Sequence, residues 1–424
     1  MNSQQLMELA ARLYPVSRSL TGDGVRQTLE ILSEWLPLQF HEVPTDTAVL
    51  DWTIPQEWSV SEAWIKDPEG NTIVDIANLN LHVVGYSVPV HQKISLTELL
   101  AHLHTLPDMP TAVPFRTSYY AKEWGFCLPH QQLANLVDGE YEVLIDSKLF
   151  DGSLTYGEFF LPGHTDDEIL LSSHVCHPSL ANDNVSGMVV AAEVGQRLMH
   201  SGSRRTGIRI LLAPGTLGTI AWLDRNRNRL DRIRGGFSLV NLGDDQPLTY
   251  KRTVFADRTI DRVVEVVLSG DTSDRIIDFS PYGYDERQHN SPGFRLPIGS
   301  LMRARHGEFR EYHSSLDDLD FINGDQLKDS ADVIERIVAV FDRNHVYRAA
   351  EPYGEPQLGR RGLYESDASG PTPKELSYAM LWVLNLSDGD HDLVDIALRS
   401  GIDFDLVVDA ADQLRDNHLL KDPS

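Results

Sequence analysis

The 424 residues carry 63 acidic against 37 basic side chains, a formal net charge of −26 that repels phosphate backbones and anionic lipid surfaces. Nucleic acid and membrane are therefore not expected partners. Hydrophobic residues at 41% and charged residues at 24% mark an ordinary globular chain, long enough for two or three domains. Two cysteines make no disulfide framework. With no basic, apolar leader and no apolar run long enough to span a bilayer, the expectation is a cytoplasmic protein.

Residues 3 to 36 read as two amphipathic helices around the loop Ser17 to Gly24, the second with Val25, Leu29, Leu32 and Leu36 on one face. From residue 50 to 136 prolines and aromatics become dense (Trp52, Trp58, Trp64, Pro107, Pro110, Pro114), which predicts an inserted β-rich lobe with one helix near Leu96 to His104. Tyr141 to Phe160 gives two alternating strands about Asp151-Gly152, a hairpin pattern. Strand and helix then alternate: strands at 169–173, 207–213, 236–242 and 298–302, helices at 187–200, 217–226, 257–268 and 325–343. The class this predicts is α/β, a mainly parallel sheet with helices on both faces. Residues 1–49 and 137–350 would form this domain, 50–136 the lobe, 351–372 a Gly- and Pro-rich linker, and 373–424 a small module of three helix-like patterns. That module resembles a winged helix. Its acids outnumber its few Lys and Arg, so it is expected to pack or to support a homo-oligomer rather than to hold DNA.

The chemistry is concentrated in Leu170 to Gly187. An apolar run ends in Ser172-Ser173-His174, His177 follows, and Asp183 sits between Asn182 and Asn184 just before a helical pattern. Imidazole and carboxylate at the carboxyl end of a buried strand suit Zn²⁺, and open α/β sheets place their chemistry there. The plainer reading is a core histidine and an Asx cap. Cys176, between the histidines, is a thiolate ligand or a small buried apolar side chain. A second stretch, Glu311 to Leu319, places Tyr312-His313 four residues before Asp317. His174, Asp183 and His313 would make two imidazoles and a carboxylate, a shell that leaves a position open for water.

These phrases resemble the co-catalytic zinc aminopeptidases. They resemble more closely a set of aminopeptidase-like proteins encoded near polysaccharide or natural-product genes. The shared phrases are Tyr119-Tyr120 with Trp124 to Cys127, His174-Val-Cys-His-Pro178, Asp285-Glu-Arg-Gln288 with Ser291-Pro-Gly293, and Tyr312 to Asp317, so the likeness runs over nearly the whole chain. It implies a zinc-exopeptidase fold, a lobe that walls the site, a C-terminal winged helix, and hydrolysis of an amide in a small peptide or peptide-like metabolite. It also implies one Zn²⁺, or two as in the aminopeptidases, with Asp244 as a further ligand and Tyr312 as the phenol that steadies the oxyanion. Asp285 or Glu286 would meet the substrate amine and Arg287 would clamp a carboxylate, an internal salt bridge being the alternative for all three. His177 is a direct ligand or a partner of one.

One part of that pattern is missing. The aminopeptidases carry two adjacent glutamates, a general base and a ligand of the second zinc, where this chain has Gly215-Thr216. Three readings stay open: Glu286 or Glu308 supplies the base, Gly215 replaces a natural glutamate, or the chain is a non-hydrolytic ligand-binding descendant of the fold.

Overall fold

The computed structural model describes residues 1–270, 275–363 and 373–423. The chain divides into two compact units, Met1–Ala256 with Ser273–Ile334 and Asp257–Thr272 with Glu335–Ser424.

The first unit is built on an eight-stranded sheet. Its strands are β1 (Gln39–Pro44), β6 (Ser153–Leu161), β7 (Glu168–His174), β8 (Gly207–Ala213), β9 (Ile233–Leu239), β10 (Thr249–Lys251), β11 (Arg275–Ile277) and β12 (Ile298–Met302), in the spatial order β1-β6-β8-β7-β9-β12-β10-β11. The four strands β8, β7, β9 and β12 are parallel; β6 and β10 flank them antiparallel, β1 pairs antiparallel with β6, and β11 pairs parallel with β10. Every residue of β7 and β8 is buried, as expected of parallel strands covered on both faces. Helices α1 (Ser3–Leu13) and α2 (Asp23–Ser33) bury Leu6, Leu9, Leu13 and Val25, Leu29, Leu32, the faces their spacing predicts. Helix α3 (Gly187–His200) follows β7, and α4 (Leu217–Arg225) follows β8. In register, His174 lies beside Ala213, so the loops after β7 and β8 leave the sheet side by side.

A four-stranded antiparallel sheet forms the lobe: β2 (Glu57–Lys66), β3 (Thr72–Asp75), β4 (Val90–Ser95) and β5 (Glu140–Phe150), ordered β3-β2-β5-β4. Here the structure corrects the expected hairpin. β5 and β6 both exist, but β5 pairs with β2 and β4 while β6 pairs with β1 and β8, so the turn at Asp151-Gly152 passes the chain from one sheet to the other. The turn is held by Glu57, whose Oε2 accepts the Ser153 N–H at 3.0 Å and would stand 2.2 Å from any Cβ at Gly152.

In the second unit a three-stranded antiparallel sheet pairs β13 (Val346–Ala349) with β14 (Asp388–Asp392) and β15 (Leu420–Lys421). Its central strand precedes the linker, so residues before 373 contribute to this module. Helix α5 (Thr259–Leu268), expected to cover the large sheet, belongs to this unit, where Arg262 binds Asp392 at 2.8 Å. Of the expected linker, 351–363 carries only one short 3-10 turn, Gly359–Arg361, and 364–372 lies outside the described residues. Among the described residues no helix is long and apolar enough to cross a membrane.

His289, on the short helix α6 (Glu286–His289), is wholly buried against Trp222 with neither ring nitrogen hydrogen-bonded. Burial pushes its pKa down to about 4, and burial likewise lowers those of His177 and His306. A histidine kept neutral by the fold takes up a proton only on unfolding, so its contribution is complete above the unfolded value near 6.5 and is lost as pH falls from there toward 4. Stability is expected to fall by up to about 1.4 kcal/mol per pH unit for each such histidine. Urea unfolding of His289→Leu should show a shallower loss between pH 6.5 and 5 than the parent chain.

Candidate metal centre

His174 ends β7, and the loop that follows returns Asp183 to it. His174 Nε2 and Asp183 Oδ1 are 3.0 Å apart; His313 Nε2 lies 3.0 Å from Asp183 Oδ2. His177 stands with His174 and Asp183, one donor atom of each lying within 4.8 Å of the others. The His177 ring centroid is 4.9 Å from that of His174 and 5.2 Å from that of His313. Three imidazoles thus surround one buried carboxylate. Burial opposes ionisation of Asp183, but His177, His174 and His313 outweigh it and hold the carboxyl well below its usual range.

Asp183 Oδ2 and His313 Nε2 are both buried, and neither has a hydrogen-bond partner despite their separation. Two donor atoms this close with no hydrogen bond between them are both available to a third atom. The nitrogen and oxygen donor set fits a divalent cation of the zinc type.

The residues flanking Asp183 tie its loop to the sheet. Asn182 donates to Asp244 Oδ2 at 2.7 Å and accepts the Gly243 N–H. The Asn184 amide donates to Ser173 Oγ at 3.0 Å and to the Leu239 carbonyl at 2.9 Å, and lies 3.3 Å from His174 Nδ1. Gly187 is required here, because a Cβ would meet the Leu239 carbonyl at 2.5 Å. Asp317 accepts the backbone N–H groups of Asn182 at 2.6 Å and of Asp183 at 2.9 Å, one on each oxygen. The lobe closes the other side: the Phe115 N–H donates to the His313 carbonyl at 2.8 Å, and the Phe115 ring meets His177 and His313 edge-on. Tyr312 stacks on His313 with centroids 4.0 Å apart, and burial raises its phenol pKa.

The other expected residues are placed differently. Asp244 is not in the group: Oδ2 accepts from Asn182 and the Ala304 N–H, and Oδ1 from the Gln246 N–H, so its oxygens brace loops. Glu286 is not a free base. Its buried carboxylate pairs with Lys251 and accepts the Tyr284 N–H. Glu308 is exposed, paired with Arg305 at 3.2 Å, and lines a cleft that none of the metal-group residues borders. Arg287 is exposed. Asp285 is buried with Oδ1 unpartnered; burial pushes its carboxyl up to about 6, partly offset by His174.

Nothing in the sequence pattern marks Tyr284 as a site residue. Its ring centroid is 4.1 Å from that of His174, and its hydroxyl donates to the Gly215 carbonyl at 3.1 Å and lies 3.4 Å from Cys176 Sγ. A Cβ at Gly215 would stand 2.0 Å from Tyr284 Cε1. The phenol therefore occupies the space into which a side chain at 215 would grow. Cys176 is a buried neutral thiol, its pKa pushed up to about 12 by burial.

Residues 7–344 match the family described as "Domain of unknown function (DUF4910)", and residues 345–422 match the winged helix-turn-helix family. A Clostridium acetobutylicum protein named "Putative polysaccharide biosynthesis protein with aminopeptidase-like domain" is 43% identical over 418 residues, 98% of this chain and 96% of that protein. The chain belongs to this aminopeptidase-like family. A crystal structure of a "putative peptidase" from C. acetobutylicum, 42% identical, superposes with a TM-score of 0.92 over 99% of this chain and 96% of that one. A zinc aminopeptidase from Bacillus subtilis, 12% identical, superposes with a TM-score of 0.56 over 80% of this chain and 94% of its own. At that identity the likeness is of fold. The zinc-exopeptidase architecture and the C-terminal winged helix expected from the sequence are thus both present.

Proposed function

We propose that this family member is a metal-dependent amide hydrolase acting on a small peptide or peptide-like metabolite. The observation that carries the proposal is the convergence of His174, Asp183 and His313, with His177 beside them, around buried donor atoms left unpartnered. These residues would hold Zn²⁺, which polarises a carbonyl and lowers the pKa of a bound water when present. Asp317 and Asn184 keep Asp183 and His174 in place through the bonds described above. Tyr312, its phenol protonated at neutral pH, is the donor proposed for the oxyanion.

A proton acceptor must come from this chain's own set. Gly215 supplies none and Glu286 is neutralised by Lys251, whereas Asp285, buried near His174 with a free Oδ1, is suited to take the proton. The zinc-loaded protein is expected to release amine from a panel of aminoacyl and dipeptidyl amides. Asp285→Asn should lower kcat by about 10²–10⁴-fold with zinc content unchanged. A second reading, a ligand-binding protein that does no hydrolysis, is favoured by the Tyr284 ring filling the space beside Gly215. Full zinc occupancy with no turnover on any amide would select it.

A further inference from the structure

Among the described residues three arginines are buried, Arg18, Arg209 and Arg303. Two are neutralised in the ordinary way. Arg209 bridges Glu158 and Glu168, and Arg303 binds Asp329. Arg18 differs. Its Nε donates to the His177 carbonyl at 2.8 Å and its Nη1 to the Leu13 carbonyl at 2.5 Å, while Nη2 has no partner and no carboxylate pairs with the guanidinium. Burying a cation costs several kcal/mol unless an anion accompanies it, and arginine cannot escape that cost by losing its proton near neutral pH. Burial lowers its pKa only to about 10.

Arg18 lines a small cavity that also touches Trp58, Asn80, Arg116, Tyr119 and Cys176. No Asp or Glu lines it, in a chain where acids outnumber bases by 63 to 37. Arg116 is exposed and, among the described residues, pairs with no carboxylate. The volume, about 20 Å³, is a little more than one water needs, so the cavity offers room for a small polar group against Arg18. None of the four metal-group residues lines the cavity, but it adjoins them through Phe115, whose ring meets His177 and His313, and through the His177 carbonyl that Arg18 binds.

We infer that this cavity is an anion subsite that receives a carboxylate of the ligand, paired by Arg18 with Arg116 beside it. Charge-assisted, planar pairing of this kind is what a guanidinium fork offers a carboxylate. The ligand class is then an acidic peptide or a short peptide with a free carboxyl end, placed so that the neighbouring amide lies toward His174, Asp183 and His313. The clamp expected of Arg287 falls to Arg18. This placement rests on the hydrolase reading; the subsite itself does not.

Calorimetric titration of the full chain with a dipeptide and with its carboxamide, in zinc-loaded and metal-free forms, tests the inference. The acid is expected to bind about tenfold to a hundredfold more tightly than the amide in both forms. Arg18→Gln should abolish that preference. Because Arg18 also braces two carbonyls, Arg116→Ala serves as the second variant and should reduce the preference by at least about threefold with the fold unchanged. Equal binding of acid and amide by the metal-free parent overturns the subsite, and so does a preference that survives both substitutions. Tighter binding of a phosphomonoester than of the dipeptide overturns the carboxylate assignment. Acid preference without any amide turnover would retain the subsite and remove the hydrolase reading; turnover without preference would do the reverse.

Discussion

Protein purified without chelator is expected to carry about one equivalent of zinc, and His174→Ala or Asp183→Ala to carry almost none. Asp183 has the greatest leverage, because both its oxygens face imidazoles, His174 on one side and His313 on the other, at 3.0 Å each. Removing the carboxylate leaves three imidazoles without the charge that gathers them. The fold should survive, since β7 is buried along its whole length and the bonds of Asn182 to Asp244 and of Asn184 to the β9 residue Leu239 do not depend on Asp183. Asp317→Asn keeps the size but replaces one of two acceptor oxygens with an amide donor that faces a backbone N–H. Loosening the partner of a ligand typically costs about 10–100-fold in metal affinity, and that is the loss expected. Elemental mass spectrometry of the four proteins, with circular dichroism alongside, checks each arm. Metal-free parent protein of normal fold would refute the centre, and with it the hydrolase.

Placing a side chain back at position 215 is expected to destabilise the protein rather than to restore a base. The Tyr284 ring stands 2.0 Å from where a Cβ would be, so Gly215→Ala should cost about 1–3 kcal/mol, the usual range for overpacking a filled interior. Gly215→Glu should cost about 3 kcal/mol or more, because it adds an unpaired buried carboxylate to the clash. In the Tyr284→Ala background the same substitutions should cost less, with a coupling of about 0.5–3 kcal/mol between the two positions. Urea denaturation of the four-member cycle measures it. Additive effects would mean that Gly215 and Tyr284 do not form a matched pair. Strong coupling would mean that Tyr284 now occupies the ground beside His174, and any proton transfer must use another group.

The alternation that predicts a parallel sheet is legible because β7, β8 and β12 are short runs buried along their whole length, and β9 is buried at every residue but Arg234. The turn at Asp151-Gly152 was legible as a turn, but not as a junction between sheets. That depends on Glu57, which lies 96 residues from Ser153. His174 and Asp183 were readable as a pair because nine residues separate them on one strand end. Asp244, Glu286 and Glu308 stand out by their polar surroundings, but nothing local shows whether a carboxylate is already spoken for by Asn182, Lys251 or Arg305. Tyr284 directly precedes the phrase that starts at Asp285, yet its hydroxyl reaches a residue 69 positions away.

By itself the sequence determined the net negative charge, the order of strands and helices, and the ligand types at the end of β7. Tertiary structure alone decided which polar atoms remain without partners. Asp183 Oδ2, Asp285 Oδ1 and Arg18 Nη2 are unpartnered only because of what the fold does and does not bring beside them, and Arg18's own acceptor at His177 is 159 residues distant. Hydrogen bonding in a buried site is a matter of spatial neighbours, and a one-dimensional pattern does not carry it.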